Sequence, residues 1–97
     1  MNKKQEIKTF HARRQIAACK EIIEDIKNKE YRDASVLIRF YLNDSRFIWY
    51  KDINSIIEDQ ISNLFIDIEQ GFKNNYTIGF FEHIIEELEF DIKNGYL

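Results

Sequence analysis

The residue types able to do chemistry are few in this chain, and they are scattered. His83 stands one turn before Glu87 and three residues before Glu86, a spacing that puts an imidazole and two carboxylates on neighbouring positions of one helix. Such a set of two or three ligands on one helix needs a second helix to complete a metal site, with Asp67 or Glu69 as the carboxylates that would supply it. The plainer reading is an exposed polar helix face. No metal site and no cofactor are expected.

His11 beside Arg13 and Arg14 has the ingredients of a ribonuclease, a proton acceptor and cations for a phosphorane-like transition state. Consecutive residues on a helix point in different directions, however, and the other histidine is 72 positions away, so catalysis is not expected from them. The chain has no glycine-rich phosphate loop, no His-Glu-x-x-His and no Gly-x-Ser-x-Gly, and it contains three glycines in all. Cys19, the one cysteine, falls between Ile16 and Ile23 on an apolar stripe, where a thiol behaves as a small hydrophobe. A lone cysteine also excludes an internal disulfide and a zinc site built on cysteine pairs, which fits a reducing cytoplasm.

Charge is distributed more tellingly than chemistry. Residues 1–20 hold six Lys or Arg against one acid, so with a net charge of −3 the remainder carries about eight negative charges. Lys3, Lys4, Lys8, Arg13 and Arg14, with Lys20, form a basic arm that could contact phosphates in a salt-dependent, sequence-blind way. Against this, the acidic isoelectric point near 5.4 disfavours nucleic acid as the main partner. At the other end Glu82, Glu86 and Glu89 recur at i, i+4, i+7, an arrangement that opposes helix formation slightly and that a basic partner would relieve. Phe47, Ile48, Trp49 and Tyr50 form an apolar quartet that cannot all face one core, and Ile66 and Phe90 also fall off their stripes. Aromatic residues in excess beside acids are the composition of a protein-binding surface.

The elements that must carry these residues read as helices. Ala12, Ile16, Cys19, Ile23 and Ile26, with Ile22 beside them, predict an amphipathic helix from Thr9 or earlier to about Asn28, with Lys27 and Lys29 suiting its C-terminal dipole. Asp33 could cap a second, with the stripe Leu37, Ile38, Tyr41; Val36, Phe40 and Leu42 make it apolar almost all round and predict deep burial. A β-hairpin at 35–51, turning at Asn43 and Asp44, is the competing reading because both arms are rich in β-branched and aromatic residues. Asp44 could alternatively open one continuous helix through Phe47 and Trp49. Ile53, Ile57, Ile61, Leu64, Ile68 and Phe72 predict a third helix, with Ser55 and Glu58 at capping-box spacing. A last helix, capped by Thr77, carries Ile78, Phe81, Ile85, Leu88 and Ile92 and ends at Asn94 and Gly95.

The expected fold is therefore all-α, a small antiparallel bundle of about four helices, with α+β carrying the 35–51 hairpin as the alternative. The 97 residues, 44% apolar with 14 aromatics, suffice for a single helical domain, 1–97. No apolar run approaches the roughly 20 residues of a membrane span, and no secretion signal is visible. The tetrapeptide Ile-Ile-acid-acid at Ile22, Ile56 and Ile84 has unequal spacing and is not a repeat.

The function these observations favour is a non-catalytic protein-binding domain that occupies a basic surface, such as that of a nuclease toxin or a defence protein. Its role would be that of an immunity protein, antitoxin or phage inhibitor in a bacterial or phage setting. Phe47, Trp49, Tyr50, Glu82, Glu86 and Glu89 are its candidate partner-binding residues. The alternative is a nucleic-acid-associated regulator using Lys3, Lys4, Lys8, Arg13 and Arg14, as a dimer. Self-association through the apolar surface around Trp49 is a further expectation.

Overall fold

A computed structural model describes residues 3–48 and 75–96. Three helices, α1 (Lys3–Lys27), α2 (Tyr31–Leu42) and α3 (Asn75–Asn94), and no strands occur among the described residues, so this part of the chain is all-α. The expected third helix over residues 53–72 lies outside the described residues, and the count of four is left to them. No described helix is long and apolar enough to cross a membrane.

Among the described residues the core is one cluster shared by the three helices. α1 contributes Ala12, Ile16, Cys19, Ile22, Ile23 and Ile26, the stripe read from spacing, while α2 contributes Ala34 and Ile38 and α3 contributes Phe81, Ile84 and Leu88. The C-terminal turns of α3 lie beside the middle of α1, where Arg13, Ile16 and Lys20 face Glu89, Ile92 and Lys93 across one groove, and Tyr96 beyond them shares a cleft with Lys8 and His11. Later positions at the end of α3 thus meet earlier positions of α1, so the two helices run antiparallel.

α1 turns into α2 through a Schellman motif. Lys29 adopts the left-handed conformation (φ 63°), its N–H donates to Ile26 O, and the Glu30 N–H donates to Asp25 O, which satisfies carbonyls the helix end would otherwise orphan. α2 follows at once, and its short connection packs it antiparallel on α1.

Several expectations about α2 and its surroundings are corrected. Asp33 is not the cap; Glu30 holds that position without a side-chain hydrogen bond, and Asp33 sits in the first turn, where a carboxylate suits the dipole. The helix is not deeply buried, since Val36 and Phe40 are 61% and 67% exposed. Residues 35–42 are helical rather than a strand, so the first arm of the hairpin does not exist. Nor does a continuous helix open at Asp44. The chain turns there, with the Arg46 backbone N–H donating to Asp44 Oδ1 (3.0 Å) and the Phe47 N–H to Asp44 O (3.1 Å).

Gln15 fixes the exit from that turn. Its side chain is fully buried in α1, yet both its polar atoms are satisfied: Nε2 donates to Ile48 O (2.7 Å) and Oε1 accepts from the Ile48 N–H (2.8 Å). The amide pairs with both backbone groups of Ile48 as a neighbouring strand would, which removes the cost of burying them unpaired.

In α3 the inward face is rotated from the one spacing suggested. Phe81, Ile84 and Leu88 are buried, whereas Ile78, Ile85 and Ile92 are only partly so. Ile84 thus takes the central place assigned to Ile85. Thr77 is no cap either; it lies within the first turn, fully buried, and its Oγ1 finds no hydrogen-bond partner among the described residues.

Candidate functional site

Because Phe81, Ile84 and Leu88 face the core, α3 must turn its charged side to solvent. Glu82, Glu86 and Glu89 are all exposed. Phe90, one turn beyond Glu86, is 57% exposed and shares a cleft with Glu86 and Glu87. Its ring lies 5.9 Å from that of Tyr96, which the chain brings back by ending α3 in a second Schellman motif at Gly95. His83, Glu86, Glu87, Phe90 and Asp91 surround a shallow cleft of about 300 Å³.

Within that cleft His83 Nε2 stands 3.2 Å from Glu87 Oε1. The i, i+4 neighbourhood read from spacing is therefore real, but both side chains are well exposed and the pair is a surface one, worth little to folding. No group of three potential metal ligands is assembled among the described residues.

The glutamates are not equivalent. Glu89 leans toward α1 and lines a groove of about 320 Å³ with Arg13, Lys20 and Lys93, so one member of the acidic ridge sits against the basic arm of the same chain. Glu82 and Glu86 have no such neighbours around that groove. Sequence separation hid this meeting, which arises only when α1 and α3 pack antiparallel.

The basic arm is divided in the same way. Lys3, Lys4, Lys8, Arg13 and Arg14 are exposed, but Arg13 faces Glu89 while Lys8 lines a different cleft with Asp91. Lys3, Ile7, Phe10 and Arg14, spaced 4, 3, 4, share the side of α1 away from the core. Ile7 and Phe10 are exposed there, and the Arg14 guanidinium lies 5.9 Å from the Phe10 ring centroid. Spacing alone could have revealed this second stripe.

Within the apolar quartet one member is revised. Phe47, expected on a binding surface, is 9% exposed and stacks on Tyr41, ring centroids 5.9 Å apart, so it is a core residue. Trp49 and Tyr50 lie outside the described residues. Cys19 is buried as expected, and desolvation pushes its thiol up to about 12, away from nucleophilic use.

Two carboxyls are perturbed in opposite directions. Arg46 donates its Nε and a terminal N–H to Asp44 (2.9 and 2.6 Å), and these side-chain bonds, with the backbone N–H, hold Asp44 down at about 2. Glu30 is raised, first by desolvation and then by the carboxylates of Asp25, Asp33 and Glu24 around the α1–α2 turn.

Set against known proteins, the chain matches no family model, no curated protein and no solved structure.

Proposed function

We propose that this protein is a non-catalytic binding domain that docks the outer face of α3 onto a basic surface of another protein. The observation that carries the reading is the exposed aromatic residue Phe90 set beside solvated glutamates on a helix whose opposite side is anchored in the core. An aromatic anchor within a charged rim is the pattern of an interface centre, and acids around it steer a basic partner toward it. Nuclease toxins and defence nucleases present such basic surfaces because they bind phosphates, so neutralising one of them is the role this face suits. Phe47 leaves the set of contact residues, and Glu82, Glu86, Phe90 and Tyr96 form its centre, with Glu89 at the edge.

Affinity capture from the native host, followed by mass spectrometry, tests the reading. Wild-type protein is expected to retain a basic protein that Phe90→Ala and the triple change Glu82→Gln, Glu86→Gln, Glu89→Gln both fail to retain. Recovery of the same protein by all three baits would remove this face from consideration.

A second reading, nucleic-acid association through α1, is favoured by the exposed stripe of Lys3, Ile7, Phe10 and Arg14. Gel-shift titration against duplex and single-stranded probes is its test. Affinity that falls steeply with salt and with Lys3→Ala and Arg14→Ala would support it, and a flat titration would end it.

A further inference from the structure

A cleft of about 460 Å³ opens between the N-terminal half of α1, the turn at residues 43–48 and the end of α3. That is the size of a small-molecule site. Basic side chains from two separate elements line it, Lys8 and His11 from α1 and Arg46 from the turn, with the Ser45 hydroxyl beside them. Phe47 and Tyr96 supply aromatic surface. Residues 35 positions apart in sequence thus share one concavity, and the search for chemistry around His11 along α1 alone could not find them.

Arg46 is the built part. Asp44 accepts its Nε–H and one terminal N–H, and also the Arg46 backbone N–H, so the guanidinium is fixed in direction before any ligand arrives. A guanidinium has five N–H donors, of which this pairing uses two, and the remaining three keep the fork geometry that suits phosphate oxygens. Asp91 also lines the cleft. Together with Asp44 it balances the formal charges of Lys8 and Arg46, which disfavours a polyanion and leaves recognition of a single phosphate group to directed hydrogen bonds from the side chains.

We propose that this cleft binds a small monophosphate ligand, with Lys8, His11 and Arg46 contacting the phosphate and Tyr96, exposed at the cleft's edge, packing on the rest of the molecule. The cleft borders the outer face of α3 through Asp91 and Tyr96, but its phosphate contacts, Lys8, His11 and Arg46, lie off that face, so its occupation can be read without the partner proposed above.

The chain has two histidines, which provides the test. His11 lines the cleft, while His83 sits beside Glu87 outside it and serves as a control in the same molecule. Imidazole signals are followed by NMR at fixed pH and ionic strength during titration with inorganic phosphate and, separately, with adenosine 5′-monophosphate. The expected result is a saturable shift of His11 with His83 unmoved, tighter for the nucleotide than for phosphate. Lys8→Ala, an exposed position whose loss leaves the core intact, should weaken both by about tenfold, the loss typical of one charge-assisted contact. Lys20→Ala, in the groove on the other side, should change neither. The proposal is overturned if neither probe shifts His11, if His11 and His83 move in parallel, or if Lys20→Ala weakens binding as much as Lys8→Ala. It is equally overturned if a short oligonucleotide shifts His11 while both small probes leave it unmoved, which would make the cleft part of a nucleic-acid surface.

Discussion

α1 and α3 end with the same backbone device and opposite side-chain support. At each end one residue turns left-handed, Lys29 at φ 63° and Gly95 at φ 69°, and paired hydrogen bonds reach back into the last turn. At the end of α3 the residue is glycine, which adopts that region without steric cost, and the next residue, Tyr96, meets Phe90 in the apolar contact that commonly accompanies the motif. At the end of α1 the residue is lysine, and the next is Glu30, surrounded by Asp25, Asp33 and Glu24. One end is locally favourable. The other is imposed by the packing of α2 on α1, which tolerates a conformation that L-residues disfavour by roughly 1–2 kcal/mol.

The coarsest way to break this comparison is to remove the packing that both ends depend on. Leu88→Ala should cost about 2–5 kcal/mol in urea unfolding, and Ile84→Ala should approach it, because both side chains are buried against α1. Ile85→Ala, at a partly buried position, should cost clearly less. Equal losses at 84 and 85 would restore the orientation of α3 that spacing suggested.

The ends themselves come next. Gly95→Ala should destabilise by about 1 kcal/mol and loosen Tyr96 from Phe90, while Lys29→Gly should be neutral or raise stability by up to about 1 kcal/mol, relief of the left-handed cost being partly offset by glycine's freedom in the unfolded chain. Thermal unfolding of the two variants side by side checks the opposite signs.

Smaller effects separate the turns that follow α1 and α2 by pH. Glu30 has its carboxyl raised in the folded state, so its ionised form opposes folding at neutral pH and that opposition fades as pH falls through the folded value. Glu30→Gln should therefore stabilise at pH 7 and change little in acid. Asp44 is the reverse case: held at about 2, its contribution is complete above the ordinary value of 3.8 and is lost as pH falls toward 2. Denaturant midpoints of Asp44→Asn and wild type should differ at pH 6 and converge near pH 2. The smallest effect belongs to the outer face of α3, where changing Glu82, Glu86 and Glu89 to Gln should leave stability within about half a kcal/mol. Unfolding of that variant would show the acids to be structural and take the proposed binding face with it.

What the sequence determined by itself was what repeats locally. The stripe from Ala12 to Ile26 placed α1 and buried Cys19, Asn94 and Gly95 marked the end of α3, and the spacing of Glu82, Glu86 and Glu89 placed those acids in solvent, because helical periodicity and the left-handed tolerance of glycine act within a few residues. What only the tertiary structure decided was which groups meet across elements. Ile84 rather than Ile85 became central because the direction of α1, and not the average of the stripe, sets the inward face of α3. Phe47 turned from a surface candidate into a core residue because Gln15, 33 positions earlier, holds Ile48 and draws the turn onto Tyr41. Glu89 came to share a groove with Arg13, and His11 a cleft with Arg46, through the packing of α3 and of the turn on α1. Such encounters depend on how rigid helices pack, and packing geometry is a property of the assembled chain that no local spacing encodes.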